Sequence, residues 1–185
     1  MRRLVAVVVA LGAAAVLVAL VGLPLYVFPA RDEPREVDAV YVIGPPTDPR
    51  MELAESMIDD GLTDTMVVSL AEAAYDAGER AKRPEAVQIC EEPQDFTVYC
   101  SQPDPFTTRG EARWMRELID ENGWESVAVI TTTPHLTRTR VIMERCWDGD
   151  IAYVSSGEHL DPWYWGYHYA YQSAAFVKVW LEDGC

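Results

Sequence analysis

Ser126-Val127-Ala128-Val129-Ile130-Thr131, followed at once by Thr132-Thr133-Pro134-His135-Leu136-Thr137-Arg138, is the stretch on which the fold turns. The first six residues form a nearly continuous apolar run, the kind that fills a strand buried on both faces of a parallel sheet. The segment after it opens a helix over Pro134 to Cys146. Thr133 before Pro134 reads as an N-cap followed by proline in the first turn. A buried strand passing straight into a helix is the repeating piece of a parallel α/β architecture.

The flanking sequence carries the same alternation. Ala39 to Ile43 is a β-rich apolar run ending in Gly44-Pro45-Pro46, and Met51 to Asp60 follows with helical spacing. Thr65 to Ser69 is a second strand. Ala71 to Arg83 is ambiguous between a helix and a surface loop, and Val87 to Cys90 with Phe96 to Cys100 read as short strands or a hairpin. Thr108 to Asn122 is a helix stopped by Gly123, Ile151 to Ser155 a last strand, and Tyr164 to Leu181 a last, strongly aromatic helix. The expected fold is α/β, a Rossmann-like three-layer α/β/α sandwich with a mostly parallel sheet. No GxGxxG follows the first strand, so the dinucleotide fingerprint is absent.

One transmembrane helix is expected ahead of this domain. Leu4 to Ala30 holds no charged side chain, and about 20 apolar residues span a bilayer. Arg2 and Arg3 precede the run and nothing basic follows before Arg31, which keeps the N-terminus cytoplasmic and exports the rest. A cleavable signal peptide has a shorter apolar core and a small-x-small cleavage site, so the expectation is an uncleaved anchor over residues 1–30. A charged, proline-containing linker over 31–36 then leads into one α/β domain over 37–185.

The chain carries a net charge of −15, and −17 once Arg2 and Arg3 are set aside with the anchor. Such a balance repels phosphodiester backbones, so nucleic acid is not an expected partner. Cys90, Cys100, Cys146 and Cys185 all lie in the exported part, where disulfides persist. The expected pairs are Cys90 with Cys100, which are close in sequence, and Cys146 with Cys185. No CxxC or HxxxH pair occurs, and no metal site is expected.

In parallel sheets ligands bind beyond the carboxyl ends of the strands. Three segments fall there: Gly44 to Arg50, Phe106 to Ala112, and Thr131 to Arg138. Thr108 and Glu111 have capping-box spacing. His135 and Arg138 project from one side of a helix start whose free amides favour an anion. Arg50 is a further candidate for the same pocket, or simply a surface charge. The aromatic residues from Trp163 to Tyr171 suit core packing better than a ring-binding wall, and His159 and His168 have no partners at metal-ligand spacing.

These segments in this order resemble the YdcF-like family, which includes the SanA and ElyC envelope proteins. The residues carrying the resemblance are Val37-Asp38-Ala39-Val40 to Gly44, Arg50 and Ala54, Thr107-Thr108-Arg109-Gly110-Glu111-Ala112, and Val129 to Arg138. Ser69-Leu70 stands where that family usually has a glycine pair. The resemblance implies a Rossmann-like fold and, for anchored members, a role in envelope integrity or cell-wall metabolism. Carried onto matching positions, it implies a pocket of Gly44, Arg50, Thr108, Glu111, His135 and Arg138. The expected ligand is an anionic small molecule. In a catalytic reading, His135 is the general acid or base, Glu111 orients its neighbours, and Arg50 and Arg138 hold the anion. The second expectation is a non-catalytic anchored protein that binds a partner through its aromatic C-terminal region.

Overall fold

The computed structural model describes residues 1–182 and 184–185, with the side chains of Ala77 and Glu79 left aside. Helix α1 (Arg2–Gly22) continues as a π-turn, Leu23–Val27, and the chain then reaches β1 (Ala39–Val42), α2 (Asp48–Asp59) and β2 (Thr65–Ser69). A 3-10 turn (Glu72–Tyr75) leads to α3 (Ala77–Arg80), α4 (Pro84–Glu91) and β3 (Thr97–Ser101). Next come α5 (Thr108–Asn122), β4 (Ser126–Thr131), a 3-10 turn (Thr133–His135), α6 (Leu136–Cys146), β5 (Asp150–Ser155) and α7 (Pro162–Leu181).

The five strands form one sheet in the order β3-β2-β1-β4-β5, and every pairing is parallel. Successive side chains of a strand point to opposite faces, so β1 divides its residues between two cores. Val40 and Val42 pack with Met51, Ala54 and Met57 of α2 and with Ala86, Val87 and Ile89 of α4. Ala39 and Tyr41 pack with Met115 and Leu118 of α5, Leu136 and Met143 of α6 and Val179 of α7. That is the three-layer Rossmann-like sandwich expected from the sequence. The chain winds outward from β1 through β2 to β3, then crosses back to β4 beside β1, with Val42 opposite Ile130. The point where the winding reverses leaves a crevice at the carboxyl ends of β1 and β4.

One element differs from its expected form. Val87–Cys90 lies within α4 rather than in a strand, because Pro84 sits in the first turn of a helix whose Ala86, Val87 and Ile89 face α2. No hairpin forms: β3 runs parallel to β2, with Val67 opposite Tyr99. Both expected disulfides are present, Cys90–Cys100 joining α4 to β3 and Cys146–Cys185 tying the C-terminus to the end of α6.

Arg2–Val27 is long and apolar enough to cross a membrane; α1 alone has 21 residues, about 32 Å. The 31–36 segment has no regular structure, yet it is pinned along the outer edge of β5. The Asp32 amide donates to the Tyr153 carbonyl at 2.9 Å, the Tyr153 amide donates to the Asp32 carboxylate at 2.8 Å, and Arg35 meets Asp150 at 2.5 Å. An otherwise open edge strand is thereby partly covered.

Candidate functional site

Each segment that leaves a strand end at the crevice delivers one part of a cleft of about 790 Å³. Gly44 follows β1, Arg50 sits in the opening turns of α2, Thr108 and Glu111 in the first turn of α5, and His135 and Arg138 follow β4. Glu158, beyond β5, and one face of α7 close the remaining sides. All six residues singled out from the sequence therefore meet in one place, and each is buried or lines the cleft.

Their local roles differ from the capping patterns expected. Thr107, not Thr108, caps α5, its hydroxyl accepting from the Gly110 amide at 3.3 Å. Glu111 does not reach back to that cap. Its Oε1 accepts from the Gly44 amide at 2.8 Å, so the carboxylate fastens the start of α5 to the end of β1. Thr108 is freed to point at the cleft. Gly110 permits this turn, since a Cβ there would lie 1.9 Å from the Pro105 carbonyl oxygen. Thr133 does not cap either; its hydroxyl bonds that of Ser155 at 2.7 Å.

Arg50 is already engaged. It meets Glu158 at 2.9 Å and donates to the carbonyls of Ile43 and Pro45 at 2.9 and 3.0 Å. Arg50 thus braces the β1–α2 loop while still lining the cleft. Burial would push the Glu158 carboxyl up, but Arg50 and the hydroxyls of Thr47 and Ser156 outweigh it and hold the group below its usual range.

Arg138 is different. Only 9% exposed, its guanidinium donates to Gln172 Oε1 at 2.7 Å, to Thr108 Oγ1 at 3.4 Å and to His135 Nε2. All three partners are neutral, and among the described residues no carboxylate pairs with it. The donation settles the imidazole's form: Nε2 accepts, so Nδ1 carries the hydrogen and gives it to Thr131 Oγ1, 3.0 Å away. Burial first, then the charges of Arg138 and Arg50 hold the His135 pKa well below the usual histidine value. Glu111 is raised by burial, against the Gly44 amide and the charges of Arg50 and Arg138.

The arrangement thus presents a neutral imidazole 3.4 Å from the Thr108 hydroxyl, with a buried cation against both. That geometry suits proton transfer at a hydroxyl or bound ligand and stabilisation of negative charge. Two buried polar atoms at the cleft have no hydrogen-bond partner among the described residues: Thr132 Oγ1 and His168 Nδ1. The sequence placed Thr131 and Thr132 in a cleft segment without giving either a role, did not single out Glu158, and left His168 aside. Gln172 was hidden in the aromatic helix. The expectation that this helix packs into the core fails for Trp163, Tyr164, Tyr167 and Tyr171, which are exposed.

Fold and cleft together define a class: a doubly wound α/β domain with a cationic cleft at its switch point, carried behind an apolar N-terminal helix. No family model matches the chain, and no curated protein or solved structure matches it.

Proposed function

We propose that this chain is a membrane-anchored, extracytoplasmic, YdcF-like domain whose switch-point cleft binds, and through His135 processes, a small molecule carrying a phosphate or carboxylate. The observation that carries this reading is the Arg138 guanidinium, buried against the cleft with neutral partners only. Buried charges are ordinarily paired, and an anion in the cleft supplies the pair. The surroundings agree with it: six Arg and Lys side chains line the cleft against three Glu, in a protein of net charge −15. The unpartnered Thr132 hydroxyl adds a free donor on a residue that lines the same cleft. The disulfides support an oxidising compartment, and the resemblance to envelope proteins supports a role in cell-envelope metabolism.

The test is a titration of the full chain in detergent with inorganic phosphate, sugar phosphates and nucleotides. Arg138→Gln keeps a donor for Gln172 and removes the charge. It should weaken binding by about 1.5 to 3 kcal/mol, roughly ten- to hundredfold. Equal affinity in both proteins, or no binding by any of these anions, defeats the reading.

A further inference from the structure

The two sides of the aromatic helix α7 use their tyrosines differently. Tyr164, Tyr167, His168 and Tyr171 recur at the three- and four-residue spacing of one helical face, and all four line the cleft. Tyr169 lies off that face. Its hydroxyl donates to the Ala19 carbonyl at 3.2 Å, and its ring meets that of Tyr26, whose hydroxyl bonds that of Ser173 at 3.1 Å. Elsewhere Tyr41 donates to the Glu111 carbonyl and Tyr99 to Asn122. Each of these tyrosines packs in the fold with its hydroxyl satisfied. Tyr164, Tyr167 and Tyr171 are instead 48%, 53% and 49% exposed, and among the described residues none of their hydroxyls has a hydrogen-bond partner.

The three cleft rings form a series that starts at the buried cation. The Arg138 guanidinium carbon stands 6.0 Å from the Tyr171 ring centroid. Tyr171 and Tyr167 stack with centroids 5.7 Å apart and planes 11° from parallel, and Tyr164 follows Tyr167 at 5.9 Å. His168 stands against Tyr164 with its Nδ1 unpartnered, and Thr132, on the same cleft, has an unpartnered Oγ1. Size points the same way. A cleft of about 790 Å³ is that of a site for a drug-sized molecule, and an ion such as phosphate held at Arg138 leaves the tyrosine wall uncovered.

We infer that the ligand is a sugar phosphate, whose phosphate meets Arg138 while its ring lies on the wall made by Tyr171, Tyr167 and Tyr164. This rests on the anion reading above and names the class of molecule that carries the anion. A pyranose has a face of C–H groups, which packs on the electron-rich face of an aromatic ring, and a rim of hydroxyls, which meets the polar handle of tyrosine. The rim decides for a sugar over a nucleobase. The three tyrosine hydroxyls, Thr132 Oγ1 and His168 Nδ1 are neutral and unpartnered, and buried polar groups that stay unpaired on binding cost affinity. A ring carrying hydroxyls around its rim pairs several of them at once, whereas a base brings a flat face with few polar atoms at its edge.

The experiment titrates the full chain, in an amine-oxide detergent that carries neither sugar nor phosphate, with inorganic phosphate, glucose 1-phosphate and adenosine monophosphate. Glucose 1-phosphate should bind at least about tenfold more tightly than either of the others. In the double variant Tyr164→Ala with Tyr167→Ala, at two half-exposed positions, that advantage over inorganic phosphate should disappear. In the unaltered chain, saturating the tyrosine ring protons should transfer magnetisation to the sugar C–H protons, a readout that needs no variant. Absent transfer, an advantage that survives the double variant, or adenosine monophosphate bound as tightly as glucose 1-phosphate overturns the sugar. Equal affinity for glucose 1-phosphate and inorganic phosphate, with Arg138→Gln weakening both, also overturns the sugar and leaves the anion site standing. Binding of none of the three removes the anion site, and the sugar with it.

Discussion

His135 cannot take up a proton without losing the bond it accepts from Arg138 and placing a second cation beside it. In the unfolded chain the same ring titrates near its ordinary value of about 6.5; in the folded protein it does so well below. The unfolded state therefore binds more protons as pH falls under about 6.5, and stability declines in that direction by at most about 1.4 kcal/mol per pH unit for one group. Denaturant melts between pH 7.5 and 5 should show the decline, and His135→Asn should flatten it. Glu111 works in the opposite sense. Its folded pKa is raised by burial, so the carboxyl stabilises the fold at low pH and that contribution is lost as pH rises from its unfolded value through its folded one. Glu111→Gln, which still offers an oxygen to the Gly44 amide, should raise the melting temperature at pH 7 and give no gain at pH 3. Both residues were legible as candidates, but their roles were not. Capping-box spacing at Thr108 and Glu111 describes sequence distance only, whereas the partner of Glu111 is Gly44, 67 positions away. Such a pairing exists only once β1 and α5 share an edge.

At the level of elements, local pattern and tertiary position agree wherever a strand is buried on both faces. β2 and β4 span the stretches their apolar runs indicate, and α5 begins and ends at Thr108 and Asn122 as its periodicity and Gly123 indicate. Pattern fails at Val87–Cys90, where four residues of β-rich type are too short to reveal a period. Pro84 and the shelf offered by α2 then decide for a helix. The disulfides show what each fastening does. Cys146–Cys185 closes 39 residues of sequence and Cys90–Cys100 closes 10. By loop-closure entropy the longer bridge stabilises by about 1 kcal/mol more, within a usual range of about 2 to 4 kcal/mol. Cys146→Ser with Cys185→Ser should therefore lower the unfolding free energy more than Cys90→Ser with Cys100→Ser, as measured by urea denaturation of otherwise identical chains. The reverse order would show that pinning α4 to β3 matters beyond its loop length.

Across the whole molecule, the N-terminal helix is joined to the domain by more than a tether. Tyr26 is 4% exposed, enclosed by Tyr169 and Phe176, and the Leu25 carbonyl accepts from the Thr137 hydroxyl at 2.6 Å. The sequence disclosed an apolar run and a domain, but not this contact, because nothing in a hydropathy pattern says where a π-turn will dock. The contact bears on whether the run is an anchor or a leader that is removed. A leader cleaved near its end would take Tyr26 with it and leave Tyr169, Ser173 and Phe176 uncovered. Truncating a buried aromatic costs about 3 to 5 kcal/mol, and about 3 kcal/mol corresponds to roughly 6 to 12 °C in melting temperature for a chain of this size. Tyr26→Ala in the full chain, and a chain begun at Ala30, should both melt lower than the intact protein by about that amount. The native protein should therefore keep the segment: intact mass after membrane extraction should include the whole apolar run. A mass short by roughly 20 to 30 residues, the length of a signal peptide, would show that the mature domain lives without Tyr26, and the anchored arrangement would fall with it.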